Sequence, residues 1–266
     1  MALVDFTEIP KANTGEGDQD TFELFARDFF KNLGFQIESG PNRGADGGKD
    51  LVIVEPLSGI ISERVVRWLV SCKHYAHSGN SVRVKDEIGI TDRVAKFQCD
   101  GFIAFYSTLP SGGLASTFKG LEDSFSIEVY DNAKIEELLV TEGRLRFVLQ
   151  RYLPISYKNI TQSYTWEKFF SALTTLITGN RSIQQRLIDA FVHSLALLRI
   201  DDLPNGLREE FIELEEALTS VEPIGDEGRI HATVRAMDDD TASEYALKIF
   251  SLYDRYRVNL IDDLRR

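Results

Sequence analysis

The chain has 266 residues, 27% charged and 43% hydrophobic, and its 42 acidic against 30 basic residues leave a formal net charge of −12. That composition suits one large or two smaller globular domains and excludes a general DNA-coating protein, which needs a basic excess to hold the phosphate backbone. No run approaches the roughly 18 apolar residues that span a bilayer, and MALVDFTEIP lacks the basic start and apolar run of a secretory signal, so a cytoplasmic protein without membrane insertion is expected.

Both halves are acidic, with 16 basic against 23 acidic residues in 1–150 and 14 against 19 in 151–266. A local polyanion site remains compatible with this balance, because surface charges are screened beyond about 8 to 10 Å at physiological salt. Cys72 and Cys99 lie in no C-x-x-C or Cys/His cluster and read as reduced thiols.

Residues 18–35 place Phe22, Phe25, Phe29, Phe30 and Leu33 on one helical face, with an acidic start and Gly34 as the stop. GFQIES then alternates like a strand, and PNRGADGGK supplies a glycine-rich turn through Gly44, Gly47 and Gly48. Asp50 enters a strand, DLVIVEP, and VVRWLVSCKHY supplies a second that pairs with it as a hairpin. The spacing of Val84, Ile88 and Val94 or Ala95 predicts a helix over 81–97, capped by Ser81. A buried strand GFIAFYST follows, then a helix over 114–121, a strand SFSIEVYD and a helix NAKIEELLV. The later alternation requires crossover connections, so an α/β fold is expected, with a mixed central sheet flanked by helices.

After about Glu142 every periodic segment is helical: 161–178, 182–198, 205–219 and 241–264. Two domains follow from this change, 1–150 with the sheet and 151–266 all helical, joined near RYLPISYKN without a long linker. The helical region carries no chemical motif and no basic recognition helix, so assembly or partner binding is its expected role. VEPIGDEGRI and MDDD read as solvated acidic segments, and His193 and His231 suggest no site.

The residues that carry chemistry are Asp50 and the pair Ser71 and Lys73. On a strand, positions 71 and 73 share a face and Cys72 takes the other, where it reads as a buried apolar side chain. If the hairpin sets Asp50 beside them, a carboxylate, a hydroxyl and an ammonium meet at one end of the sheet. Glu23 on the preceding helix and Asp46 in the turn are further oxygen donors for a hard cation. Each residue also has an ordinary reading: Asp50 and Asp46 as turn formers, Lys73 as a solvated strand residue, Glu23 as a solvent-facing helix residue. His74 and His77 read as exposed loop histidines, with contact to phosphate as the alternative. Trp68 and Trp166 read as core or interface anchors.

The order GADGGKDLVIVE, VSCKHY, SVRVKDEIGI, GFIAFYSTLPSGGLAS and IEVYDNAKIEELL, over about residues 18–140, resembles the Mrr-type restriction endonuclease domain of the PD-(D/E)XK nuclease superfamily. The resemblance implies a restriction-endonuclease-like fold and metal-dependent hydrolysis of DNA phosphodiesters, in a restriction or anti-phage role. Asp50 matches the strand acid, Lys73 the lysine and Glu23 the helix acid, which makes Asp50 and Glu23 the implied ligands of Mg2+ or Mn2+. Ser71 stands where the family has Gln or Glu, and its short side chain supplies no charged ligand. That departure sets out the competing expectation, a catalytically silent scaffold or DNA-end-binding subunit. Because an acidic chain holds DNA poorly alone, a homo-oligomer or a partner subunit is also expected.

Overall fold

A computed structural model describes residues 2–11, 20–41, 49–58 and 63–264. The glycine-rich turn with Gly44, Asp46, Gly47 and Gly48 therefore lies outside the described residues. The chain divides into two compact units, Met1–Lys158 and Asn159–Arg266, with the division inside one long helix.

In the first unit, α1 (Thr21–Leu33) is capped by Asp20, whose Oδ1 accepts the N–H groups of Phe22 and Glu23 at 2.8 and 3.2 Å. It ends at Gly34, whose φ of 106° only glycine adopts readily. Strands β1 (Gln36–Ser39), β2 (Leu51–Ser58) and β3 (Glu63–Lys73) pair antiparallel. Beyond a 3-10 turn at Val84–Asp86 come α2 (Ile90–Lys96), β4 (Gly101–Tyr106), α3 (Gly112–Leu121), β5 (Ser126–Tyr130) and α4 (Asn132–Thr141). β4 pairs parallel with both β3 and β5, so the described strands make one mixed sheet in the order β1-β2-β3-β4-β5.

Helices cover both faces of this sheet. On one, the rings of Phe22, Phe25, Phe29 and Phe30 of α1 meet Phe105 at centroid distances of 5.3 to 5.6 Å. On the other, Val52, Leu69, Phe102, Ala104 and Tyr106 pack with Ile90 and Val94 of α2 and Leu114 and Phe118 of α3. All six residues of β4 are buried, as a central parallel strand requires.

The helix expected over 81–97 is shorter, and Ser81 does not cap it. Val82 is drawn into a bridge with Pro110, its N–H bonding Leu109 O at 3.0 Å and its carbonyl accepting Ser111 N–H at 2.7 Å. Gly89, at φ 65°, then turns the chain into α2. That positive φ is incompatible with one continuous helix through the segment.

Gly101 faces Trp68 in the β3–β4 register. A Cβ there would lie 2.4 Å from the indole ring and 2.9 Å from the backbone oxygen of Ser126. Trp68 is itself held, 8% exposed, with its indole N–H on Glu55 at 3.0 Å. Gly101→Ala must therefore displace a strand, and it is expected to destabilise the unit by about 3 kcal/mol. Denaturant unfolding of the variant checks this, and a loss under about 1 kcal/mol contradicts so tight an approach.

The unit closes with α5 (Arg146–Tyr152) and the start of α6 (Pro154–Thr178). The sequence periodicity places no helix at α5 and starts α6 later, at 161. Pro154 instead occupies the first helical position, where its missing N–H costs nothing. In the second unit α7 (Ile183–His193), α8 (Asn205–Leu218), α9 (Arg229–Arg235) and α10 (Asp239–Leu264) enclose a core around Phe169, Leu187, Phe191, Phe211, Ile249 and Tyr256. Phe169 meets Phe211 edge-on at 6.3 Å, and Tyr256 donates its hydroxyl to Gln162 O at 3.0 Å. Trp166, 39% exposed, stacks on Phe170 at 5.1 Å.

Candidate active site

The β2–β3 ladder begins with Leu51 opposite Val70, so Asp50 stands at the next place in that register, level with Ser71. Val52 and Leu69 belong to the core on the α2/α3 side. Strand alternation gives Asp50, Ser71 and Lys73 that same side. One hydrogen bond fixes the arrangement: Asp50 Oδ2 accepts the backbone N–H of Cys72 at 2.6 Å. The carboxylate is thereby tied to the backbone between Ser71 and Lys73.

Ser71 is 2% exposed, and its Oγ has no hydrogen-bond partner among the described residues. Lys73, half-buried, ends β3 opposite Tyr106 on the central strand β4, so it is not a solvated edge residue. Glu23, half-buried, lies in the first turn of α1, and its neighbour Phe22 stacks on the His74 ring at 4.7 Å and 11°. The start of α1 thus sits against the residue that follows Lys73.

Cys72 reports on the charges around it. Burial pushes its thiol well up, Asp50 and Glu23 push it further, Lys73 opposes them and Asp20 adds to the rise. Two candidate acids and the candidate lysine therefore act on one buried sulfur. The Asp50–Cys72 bond brings Asp50 to the backbone between Ser71 and Lys73, while Glu23 stands on α1, the helix that covers the opposite face of the sheet.

A hard-cation site has to fit this donor set. No group of three His, Cys, Asp or Glu side chains is positioned for a metal among the described residues. Magnesium needs less from a protein, since it is held by one or two carboxylates and completes its shell with waters and substrate phosphates. Asp50 and Glu23 fit that pattern. The orphaned Ser71 hydroxyl adds a neutral polar group beside it, and Asp46 lies outside the described residues.

His74 and His77 are not exposed loop residues. Both are half-buried, and their Nε2 atoms approach the carbonyl of Ile9 at 2.9 and 2.8 Å. Burial pulls His74 down from the ordinary histidine value and nearby His77 adds to this, while the bond to Ile9 and the charge of Asp20 oppose it. Their shared partner lies 65 and 68 residues away in sequence, and no local pattern announces it.

A second group missed by sequence reasoning flanks the site. Glu87, 3% exposed, accepts the Tyr106 hydroxyl at 2.9 Å and pairs with Arg93 at 2.7 Å. Arg93 also lies over the Phe102 ring at 5.4 Å. Tyr106 is the register partner of Lys73, so this buried ion pair supports the strand beside it.

The segment that holds all four candidate residues is also the one that matches a known family. Residues 16–103 match the restriction endonuclease family Mrr_cat. The matched segment takes in α1, β1, β2, β3, α2 and the start of β4.

No curated protein matches the chain. Among solved structures, the chain is similar to the DNA modification-dependent restriction endonuclease AspBHI, at 17% identity and a TM-score of 0.39 over 53% of this chain and 35% of that one. It is also similar to the MspJI restriction endonuclease in complex with a 27-mer oligonucleotide, at 16% identity and a TM-score of 0.32 over 49% and 31% of the two chains. The chain thus spans about a third of the length of either enzyme.

Proposed function

We propose that this chain is a magnesium- or manganese-dependent DNA endonuclease that hydrolyses phosphodiester bonds, with Glu23, Asp50, Ser71 and Lys73 as its site. The observation that carries the reading is the Asp50 carboxylate bound to the Cys72 N–H, between Ser71 and Lys73, inside a segment of the restriction endonuclease family. Asp50 and Glu23 would hold the ion. When bound, a divalent ion polarises the attacked phosphate and lowers the pKa of a coordinated water.

The other roles follow from the side chains. Lys73 places an ammonium where negative charge grows on the phosphate, which stabilises the transition state more than the ground state. Ser71 offers a neutral hydroxyl to a water in the ion's shell, in place of a charged ligand. The second unit serves assembly, with further copies or a partner subunit supplying the DNA affinity that a chain of net charge −12 lacks. A cytoplasmic defence role against foreign DNA accords with the family.

Lys73→Ala is expected to lose about 100- to 1000-fold in cleavage rate, the scale of removing one preorganised charge from a transition state. DNA affinity and the unfolding temperature should change little, since the Lys73 ammonium makes no hydrogen bond or ion pair among the described residues. Cleavage of plasmid DNA with magnesium checks this, and wild-type rates from Lys73→Ala contradict the assignment. The uncharged Ser71 favours one other reading, a domain that binds DNA without cutting it. Wild-type protein that shifts DNA but never cleaves it would support that reading.

A further inference from the structure

The end of β3 is fastened at an unusual number of points to one small residue beyond β4. Ser107, 3% exposed, donates its backbone N–H to the carbonyl of Lys73 at 3.1 Å. Its Oγ accepts the N–H groups of Tyr75 at 2.8 Å and Ala76 at 3.0 Å. It also lies 3.0 Å from Nδ1 of His74. The backbone on both sides of His74 is therefore held by Ser107.

The donor count settles the direction of the last bond. A hydroxyl offers two lone pairs and one hydrogen. The Tyr75 and Ala76 amides occupy the lone pairs, so the hydrogen goes to His74 Nδ1, which must accept. His74 is then neutral with its proton on Nε2, and that N–H donates to Ile9 O at 2.9 Å. His77 donates to the same carbonyl at 2.8 Å, and Ile9 is fully buried. The chain Ile9, His74, Ser107 is satisfied in one protonation state only. The ring of His74 is further clamped by Phe22, next to Glu23 on α1.

We propose that Ser107 is a positioning residue for the active site: with His74 it locks the exit of β3 and so sets where Lys73 stands relative to Asp50 and the start of α1. This inference rests on the reading of Lys73 as a catalytic group. Ser107 itself touches no substrate. Displacing a catalytic group by about 1 Å costs on the order of 100-fold in rate, so the effect belongs in turnover and not in DNA affinity.

The test uses the full-length chain with supercoiled plasmid and magnesium, comparing wild type, Ser107→Ala, Ser107→Thr and His74→Phe. Ser107→Ala should lower kcat by about 100-fold with KM within twofold, and Ser107→Thr, which keeps the hydroxyl, should restore most of it. His74→Phe keeps the stack on Phe22 but removes the acceptor, and should lower kcat in the same sense. Amide hydrogen exchange at Tyr75 and Ala76 should accelerate in Ser107→Ala. Wild-type kcat in both Ser107→Ala and His74→Phe, beside an inactive Lys73→Ala, overturns the positioning role and leaves the nuclease reading standing. Wild-type cleavage by Lys73→Ala, with Tyr75 and Ala76 still protected, overturns the nuclease reading itself. Unchanged exchange in Ser107→Ala overturns the lock whether or not DNA is cut.

Discussion

Asp50→Asn should reduce magnesium-dependent DNA cleavage by at least about a thousandfold while leaving the fold intact. Metal-ion stabilisation of the attacked phosphate is worth several kcal/mol, and each 1.36 kcal/mol is a factor of ten in rate. The choice of Asn separates two jobs of this side chain. Its amide oxygen can still accept the Cys72 N–H that Asp50 Oδ2 takes at 2.6 Å, but its charge is gone. Manganese binding measured by calorimetry should weaken together with cleavage, and the unfolding midpoint should stay within a few degrees. Retained cleavage in Asp50→Asn would mean that the carboxylate serves only the strand.

Arg93→Met is expected to cost about 3 to 5 kcal/mol of stability, because it strands the buried Glu87 carboxylate. The Glu87 side chain is wholly buried, and its other partner is the neutral Tyr106 hydroxyl at 2.9 Å. For a chain of this size each kcal/mol is worth about 2 to 4 °C, so the melting temperature should fall by roughly 6 to 20 °C. Removing the charge as well, in Glu87→Gln with Arg93→Met, keeps an acceptor for Tyr106 and should recover most of the loss. Thermal unfolding followed by circular dichroism checks both variants. A single mutant as stable as wild type would show that the pair contributes nothing to this face of the sheet. Burial, reinforced by the Glu87 carboxylate, also pushes the Tyr106 hydroxyl up, so it remains a donor throughout the physiological range.

These residues mark where sequence reasoning stops. Phe22, Phe25, Phe29 and Phe30 announce α1 by their spacing, because one face of that helix meets a hydrophobic sheet. The β-branched and aromatic residues of DLVIVEP and VVRWLVSCK announce the β2–β3 hairpin, while its register emerges only in the fold. The helix expected over 81–97 fails because Val82 finds a partner in Pro110. That contact between distant residues outweighs local periodicity.

The candidate site shows the same division. Asp50 and Lys73 can be picked out because the glycine-rich entry and the strand triplet are local patterns. Glu23 is one acid among several before the resemblance gives it a role, since a helical acid between Phe22 and Leu24 has no local signal of its own. Ser107, His74 and Ile9 lie far apart in the chain and meet only in the fold, as do Glu87, Arg93 and Tyr106. Polar networks of this kind are satisfied through long-range pairing, which hydrophobic pattern does not encode.

The acidity of the chain gains a sharper meaning from this arrangement. Asp50 and Glu23 are part of the excess, and in the proposed function they draw in a cation and not the polyanion directly. DNA affinity then depends on the ion and on assembly, and both lie within reach of experiment.

The most direct measurement is incubation of supercoiled plasmid with the purified wild-type chain and magnesium, with a chelator as control. The proposed function predicts conversion to nicked and linear forms, absent with the chelator and absent in Asp50→Asn. Intact plasmid with wild-type protein that is folded and binds the DNA, in magnesium and in manganese alike, would contradict it.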